Sequence, residues 1–317
     1  MKGFKYLDKL IHSGAKEIVL DSDIKIADEE LKEYSKGIEL DLDDIIINGN
    51  GHSIDGCKKA RIFISTGKNI QIKNITLKGG YGGYGGAIHN NGIMEINKSS
   101  LIDNSAGYGG AIYNKNGEMI IRDSELKQNM AKSNGGAIFN YKGEMTIENS
   151  RLNQNSGKQG GAIHNYRAIL TVKKSSLSNN ISKDLGGAIF NDGNQMKIIE
   201  SSISQNKSNH GGGLYNNIGE INIIESRLNQ NEANIGGAIH NWISINIIDS
   251  EIRDNIAQEH GGAIHNFDGE MKIERTEISS NSSKKGNGIF TNNNKIELNS
   301  CKIEDEIYEI ASINSRN

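Results

Sequence analysis

The chain has 317 residues, with 36 lysines and arginines against 39 aspartates and glutamates and a net charge of −3. Charge this balanced and interspersed leaves no footprint for nucleic acid, and no run reaches the ~18 apolar residues of a membrane-spanning helix. Hydrophobic content is 35%, too low for a thick globular core, and the chain carries 38 glycines but no proline. A chain that is mostly paired strand has little room for proline, because each one deletes a ladder hydrogen bond.

Phe4, Leu7, Leu10 and Ile11 share one helical face, and Gly14 follows as a stop. Residues 17–21 and 37–42 read as short strands around a polar stretch at 28–36. A solenoid end would otherwise leave a bare core and an unpaired strand edge. The pattern therefore predicts an N-terminal helix-and-strand cap over 1–44 and a repeat body over 45–317. The first ten residues lack the apolar stretch and cleavage site of a secretory signal, so the expectation is a cytosolic protein or a mature or excised piece of a larger one. Cys57 and Cys301 lie near opposite ends, and no intramolecular disulfide is expected between them.

Residues 45–56 read as a strand, a glycine-rich turn and a second strand entry. Ile64 stands six residues before Ile70, as Ile88 stands before Met94, which puts Ile64 in the slot later filled by a repeated isoleucine. From Gly85 the chain says one thing again and again. Gly85-Gly86-Ala87-Ile88-His89-Asn90 returns from Gly109, Gly135, Gly160, Gly186, Gly211, Gly236 and Gly261, and in worn form from Gly286, every 24 to 26 residues. A fixed period of this size marks a stacked repeat.

Within one repeat, Gly86, Ile88 and Asn90 alternate on one side, with Ala87 and His89 on the other. Met94 and Ile96, Ser99 and Leu101, then Asn104 and Ala106 alternate in turn. Period 2 within short runs means strand, and the three-residue steps after Ile96 and Leu101 mark corners. Three short strands and three corners in about 25 residues describe one coil of an all-β parallel β-helix. From Ile64 onward this predicts roughly ten coils, about 45–50 Å at ~4.8 Å each.

Stacking turns each repeat position into a column. Met94, Ile96 and Leu101 begin apolar columns that form the core. Asn90 and Asn104 begin asparagine columns, whose amides can bond one another and the corner backbone, and asparagine tolerates the left-handed conformation of tight corners. The residue after the motif isoleucine is aromatic or histidine throughout, including His164, His240 and His265. A column that exchanges His for Phe and Tyr reads as a packed stack, with these three histidines as a candidate ligand-contacting stripe; no fixed metal-ligand set is present.

One outward column carries Glu200, Glu225 and Asp249 on successive coils. Clustered carboxylates could hold Ca²⁺ or act as an acid–base pair, and these are the candidate catalytic residues of an enzyme reading. Elsewhere the column reads Lys98, Asp123, Asn149, Lys174 and Arg275, as an ordinary mixed surface does. The calcium-binding glycine-rich nonapeptide is absent, so no cofactor is expected, and no nucleophile elbow, phosphate loop or Cys-x-x-Cys appears.

The glycine motif, followed by an apolar-x-x-Asn unit such as Leu101-Ile102-Asp103-Asn104, resembles the repeat pair of chlamydial polymorphic outer membrane proteins. The chain is also similar to adhesin-like β-helix proteins of methanogenic archaea, in which the Asn48–Gly56 stretch has counterparts. Leu or Ile stands where the chlamydial motif has Phe, and no export signal or terminal anchor is evident. The resemblance implies a right-handed, pectin-lyase-like β-helix displayed at a cell surface for adhesion. It suggests a non-enzymatic module that offers repetitive faces to a polysaccharide or a surface protein. A polysaccharide lyase or hydrolase of the same fold, and a structural spacer, are the alternatives; insertions of at most one residue argue against a built cleft.

Overall fold

The computed structural model describes residues 2–292 and 295–310. Helix Phe4–Ile11 buries Phe4, Leu7 and Ile11 completely and packs on strands Ile24–Lys25 and Ile38–Leu40. Its first turn is capped from a distance. The Glu30 carboxylate accepts the backbone N–H groups of Phe4, Lys5 and Ala27, each at 3.0 Å. A carboxylate at the positive end of a helix satisfies donors that have no partner within the helix. The strands before residue 45 join the stack directly: Glu17–Val19 pairs with Ile46–Asn48, and Ile38–Leu40 with Phe63–Ser65.

The body is a parallel β-solenoid. A representative coil consists of strands Ile88–Asn90, Ile93–Asn97, Ser100–Ile102 and Ser105–Tyr108. The first two belong to one sheet despite the turn between them, so three sheets run down the rod. The ladder through Ser100–Ile102 holds twelve strands among the described residues, which at ~4.8 Å per step makes a rod of about 50 Å. The apolar columns are the core, with Met145, Ile147 and Leu152 at 0% exposure. Cys57 and Cys301 are both free thiols. Among the described residues no helix is long and apolar enough to cross a membrane.

Two details of register differ from the sequence reading. Ile88 pairs with Phe63, and Ile64 pairs with His89, so Phe63 and not Ile64 fills the isoleucine slot. The turn after Ser65 is one residue longer than the turn after Asn90, which misled a count back from Ile70. Ala87 lies in the core beside Ile88, not on the outside with His89. The N–H groups of Ala87 and Ile88 both donate to the carbonyl of Ala111, a bulge that breaks strict alternation.

The asparagine columns are continuous hydrogen-bonded ladders. From Asn90, each side-chain amide donates to the carbonyl oxygen of the next asparagine at 2.8–3.0 Å as far as Asn266. From Asn104, each Oδ1 accepts both the backbone N–H and the side-chain amide of the preceding asparagine. The left-handed backbone that a corner demands falls, in the column from Asn104, on the residue immediately before each asparagine. Asp103, Gln128, Gln154, Asn179, Gln205 and Gln230 have φ of 54–56°. The asparagine follows, buried with its side chain in the ladder. A serine column completes the corners: each of Ser99, Ser124, Ser150, Ser175, Ser201 and Ser226 donates its backbone N–H to the next serine hydroxyl at 3.0–3.1 Å.

Candidate functional site

Two features run lengthwise along the outside of the rod. The first is an aromatic trough over the sheet that carries the glycine motif. Residues following the motif isoleucine are in register from His89 to Tyr308, and neighbouring ring centroids lie 4.6–5.5 Å apart. Although they point away from the core, those from Tyr113 to Phe290 are buried: His164 is 2% exposed, and His240 and His265 are each 4%. They are covered by two flanking columns. One wall has Tyr141 and Tyr166 stacked at 5.4 Å, then Asp192 and Asn217, then Trp242 and Phe267 at 4.0 Å. The opposite wall begins with Tyr84 and Tyr108 stacked at 5.3 Å, passes through Asn134, Gln159 and Leu185, and continues with His210 and His260. A second, thin apolar layer thus lies outside the solenoid core.

His240 and His265 are neighbours with centroids 4.6 Å apart, while His164 stands between Phe139 and Phe190 at 4.7 and 4.6 Å. Burial pushes His164 down to about 3. Burial, with the neighbouring His260 and His210, pushes His265 down to about 4, and His240 is also held well below the ordinary imidazole range. These rings are neutral at physiological pH. Both ring nitrogens of His164 and of His240 lack a hydrogen-bond partner among the described residues. Desolvated polar atoms of this kind are costly unless something else bonds them. The described residues contain no group of three or more His, Cys, Asp or Glu able to hold a metal ion.

The second feature is a shallow groove along a corner, floored by the serine ladder, which brings Glu200, Glu225 and Asp249 together. Each is the left-handed corner residue of its coil, with φ of 48–50°. Arg275 grips Asp249 with two hydrogen bonds, at 2.6 and 2.8 Å, and Lys174 lies 3.7 Å from Glu200. Glu225, between them, makes no ion pair among the described residues. The Arg275 guanidinium holds the Asp249 carboxyl below the usual carboxylate range. A general acid needs the opposite shift, which burial or an adjacent carboxylate supplies.

The stacked strip is legible in the sequence; its walls leave a second signal there. The signal was an aromatic residue two positions beyond the floor residue, on the same side of the strand, in Phe139-Asn140-Tyr141, His164-Asn165-Tyr166, His240-Asn241-Trp242 and His265-Asn266-Phe267.

Stacked parallel coils with inward amide ladders define a β-helix repeat protein. Residues 98–115 match the Chlamydia polymorphic membrane protein repeat, and that stretch runs from one corner through Asn104 to the glycine motif and Asn114. The chain is a parallel β-helix repeat protein, one stretch of which is similar to that repeat. Searches of curated proteins and of solved structures found no match.

Proposed function

We propose that the chain is a non-enzymatic, adhesin-like module of a surface protein, and that it engages an extended partner along the aromatic trough. The single observation behind this reading is the trough itself. Half-exposed rings, including Tyr84 at 47% exposure, line a path parallel to the rod axis over a preformed rigid floor. Repetition along an axis suits an extended partner, because many modest contacts add when their spacing is fixed in advance. The carboxylates at the corner face a different side, and two of the three stand against cations, Glu200 near Lys174 and Asp249 on Arg275.

The test is retention of the purified chain on arrays of cell-surface glycans and proteins, with product analysis of every glycan retained. Binding that weakens when Tyr84, Tyr108, Tyr141 and Tyr166 are replaced by serine, with no shortening of the glycan, is the expected result. New reducing ends or unsaturated sugars that disappear in Glu225→Gln would sink the proposal and favour a polysaccharide-active enzyme.

A further inference from the structure

The N-terminal half of the trough differs from the rest in lining. Its floor is Tyr113, Phe139, His164 and Phe190, and the exposed Lys142 and Arg167 lie over the wall rings of Tyr141 and Tyr166, each 5.4 Å from the centroid. Asp192 is the one carboxylate there, and it accepts the Asn217 side-chain amide at 2.9 Å. Across from it, the half-buried side-chain amides of Asn134 and Gln159 bond no other described side chain. His164, 2% exposed, lies in the floor between the two walls with neither ring nitrogen partnered. Groups that can both donate and accept are thus set among ring surfaces within one recess.

We infer that this segment is a binding subsite for a neutral polysaccharide chain, centred over His164, with Gln159 and Asn134 on one wall and Tyr141 and Tyr166 on the other. The inference rests on the adhesin-like reading and names its ligand class. A pyranose ring has apolar C–H surface and a girdle of hydroxyls, each a donor and an acceptor. Tyrosine walls match the first, and amides with a neutral imidazole match the second. Buried polar groups without partners set selectivity, because a ligand lacking hydroxyls leaves them unpaired. Inside the recess, charge disfavours polyuronates and other anionic chains. The one charged residue in the lining of the recess, Asp192, repels them, while the cations Lys142 and Arg167 stand at the exposed rim over the tyrosine rings. The floor spans neighbouring coils at ~4.8 Å each, so the site is lengthwise and suits several linked sugars better than one.

The experiment is affinity measurement of the full chain against neutral hexasaccharides of β-1,4-glucan, β-1,4-mannan and β-1,4-xylan, with hexagalacturonate alongside. The variants are His164→Phe and Gln159→Leu. Each introduces a residue that the next coil already carries in the same column, Phe190 or Leu185, so folding is preserved and is checked by thermal unfolding. The expected result is binding of at least one neutral hexasaccharide, weakened about three- to ten-fold by each variant, with hexagalacturonate not retained. Neutral hexasaccharides bound equally by wild type and both variants would overturn the subsite but leave the adhesin-like reading intact. Retention of hexagalacturonate alone, or of proteins alone, would do the same. Shortened hexasaccharides would overturn both.

Discussion

Asn281 donates its backbone N–H and its side-chain amide to one carboxylate oxygen of Asp305, at 3.0 and 2.8 Å. Each earlier member of this ladder makes the same pair of bonds to an asparagine, so Asp305 stands where the next asparagine would. It ends the ladder with an acceptor and needs no donor of its own. Residues Ile307–Glu309 then pair with Ile289–Thr291, and Tyr308 stacks on Phe290 at 5.3 Å. Asp305→Ala leaves the Asn281 backbone N–H unpaired, while the side-chain amide keeps the carbonyls of Ile252 and Ser279, and should cost about 1–3 kcal/mol. Asp305→Asn keeps the acceptor and should cost under about 1 kcal/mol. Urea unfolding separates the two, and hydrogen exchange should show the loss concentrated in the last coils, since a solenoid transmits stability between neighbours.

A change in mid-ladder should be worse. Asn180 accepts two bonds from Asn155 and donates to Asn206 and to the carbonyl of Leu152. Asn180→Ala breaks all of them at a position with 0% exposure, and a loss of about 3–5 kcal/mol is expected from a half-satisfied buried network. Asn180→Asp keeps the acceptor but brings a buried charge, so it should recover stability only at low pH, where the carboxyl is protonated. Chemical denaturation at pH 4 and pH 7 checks both statements.

How far the sequence carried the argument depends on what repeats report. Period 2 within runs and period 25 between them reveal which residues share a column, so the apolar columns and the ladders from Asn90 and Asn104 were readable. Backbone conformation at the corners was not, because the left-handed column carries Lys98, Asp123, Glu200 and Arg275 with no common chemistry. Only hydrogen bonding exposes it, and the neighbouring serine ladder with it. The aromatic column was visible as a stack, but its burial depends on Tyr141, Tyr166 and Trp242 reaching over from adjacent positions. Burial by a neighbouring side chain leaves no period of its own. Ala87 failed for a similar reason, since a bulge shifts the parity that alternation relies on.

The corner geometry separates structure from chemistry at Glu225, whose φ is 49°. A side chain in this region is strained by about 1 kcal/mol relative to glycine. Glu225→Gly should therefore leave stability unchanged or raise it by up to ~1 kcal/mol, while Glu225→Val should lower it by about 1–2 kcal/mol. Under the adhesin-like reading, partner retention is the same in wild type and Glu225→Gly. A glycine variant that folds well but loses binding would make the groove, not the trough, the functional face.

Acid should loosen the trough. In the folded chain His164 protonates only at about 3 and His265 at about 4, with burial the main cause in both, and His240 is depressed in the same direction. In the unfolded chain each titrates near the ordinary value of about 6.5. Between these limits the unfolded state binds more protons, so stability rises with pH across the window. Above pH ~6.5 the histidines make no difference. Below it, each lowers stability by up to about 1.4 kcal/mol per pH unit until its folded value is reached. Three buried imidazoles give a slope near 4 kcal/mol per pH unit as an upper limit. Urea unfolding from pH 7.5 to 4.5 should show stability flat at first and then falling steeply. Replacing His164, His240 and His265 by phenylalanine, which already stands at Phe139, Phe190 and Phe290 in this column, should flatten that fall. A triple variant that loses stability with acid as fast as the wild type would show that the strip stays packed around charged rings, and the desolvation argument would be wrong.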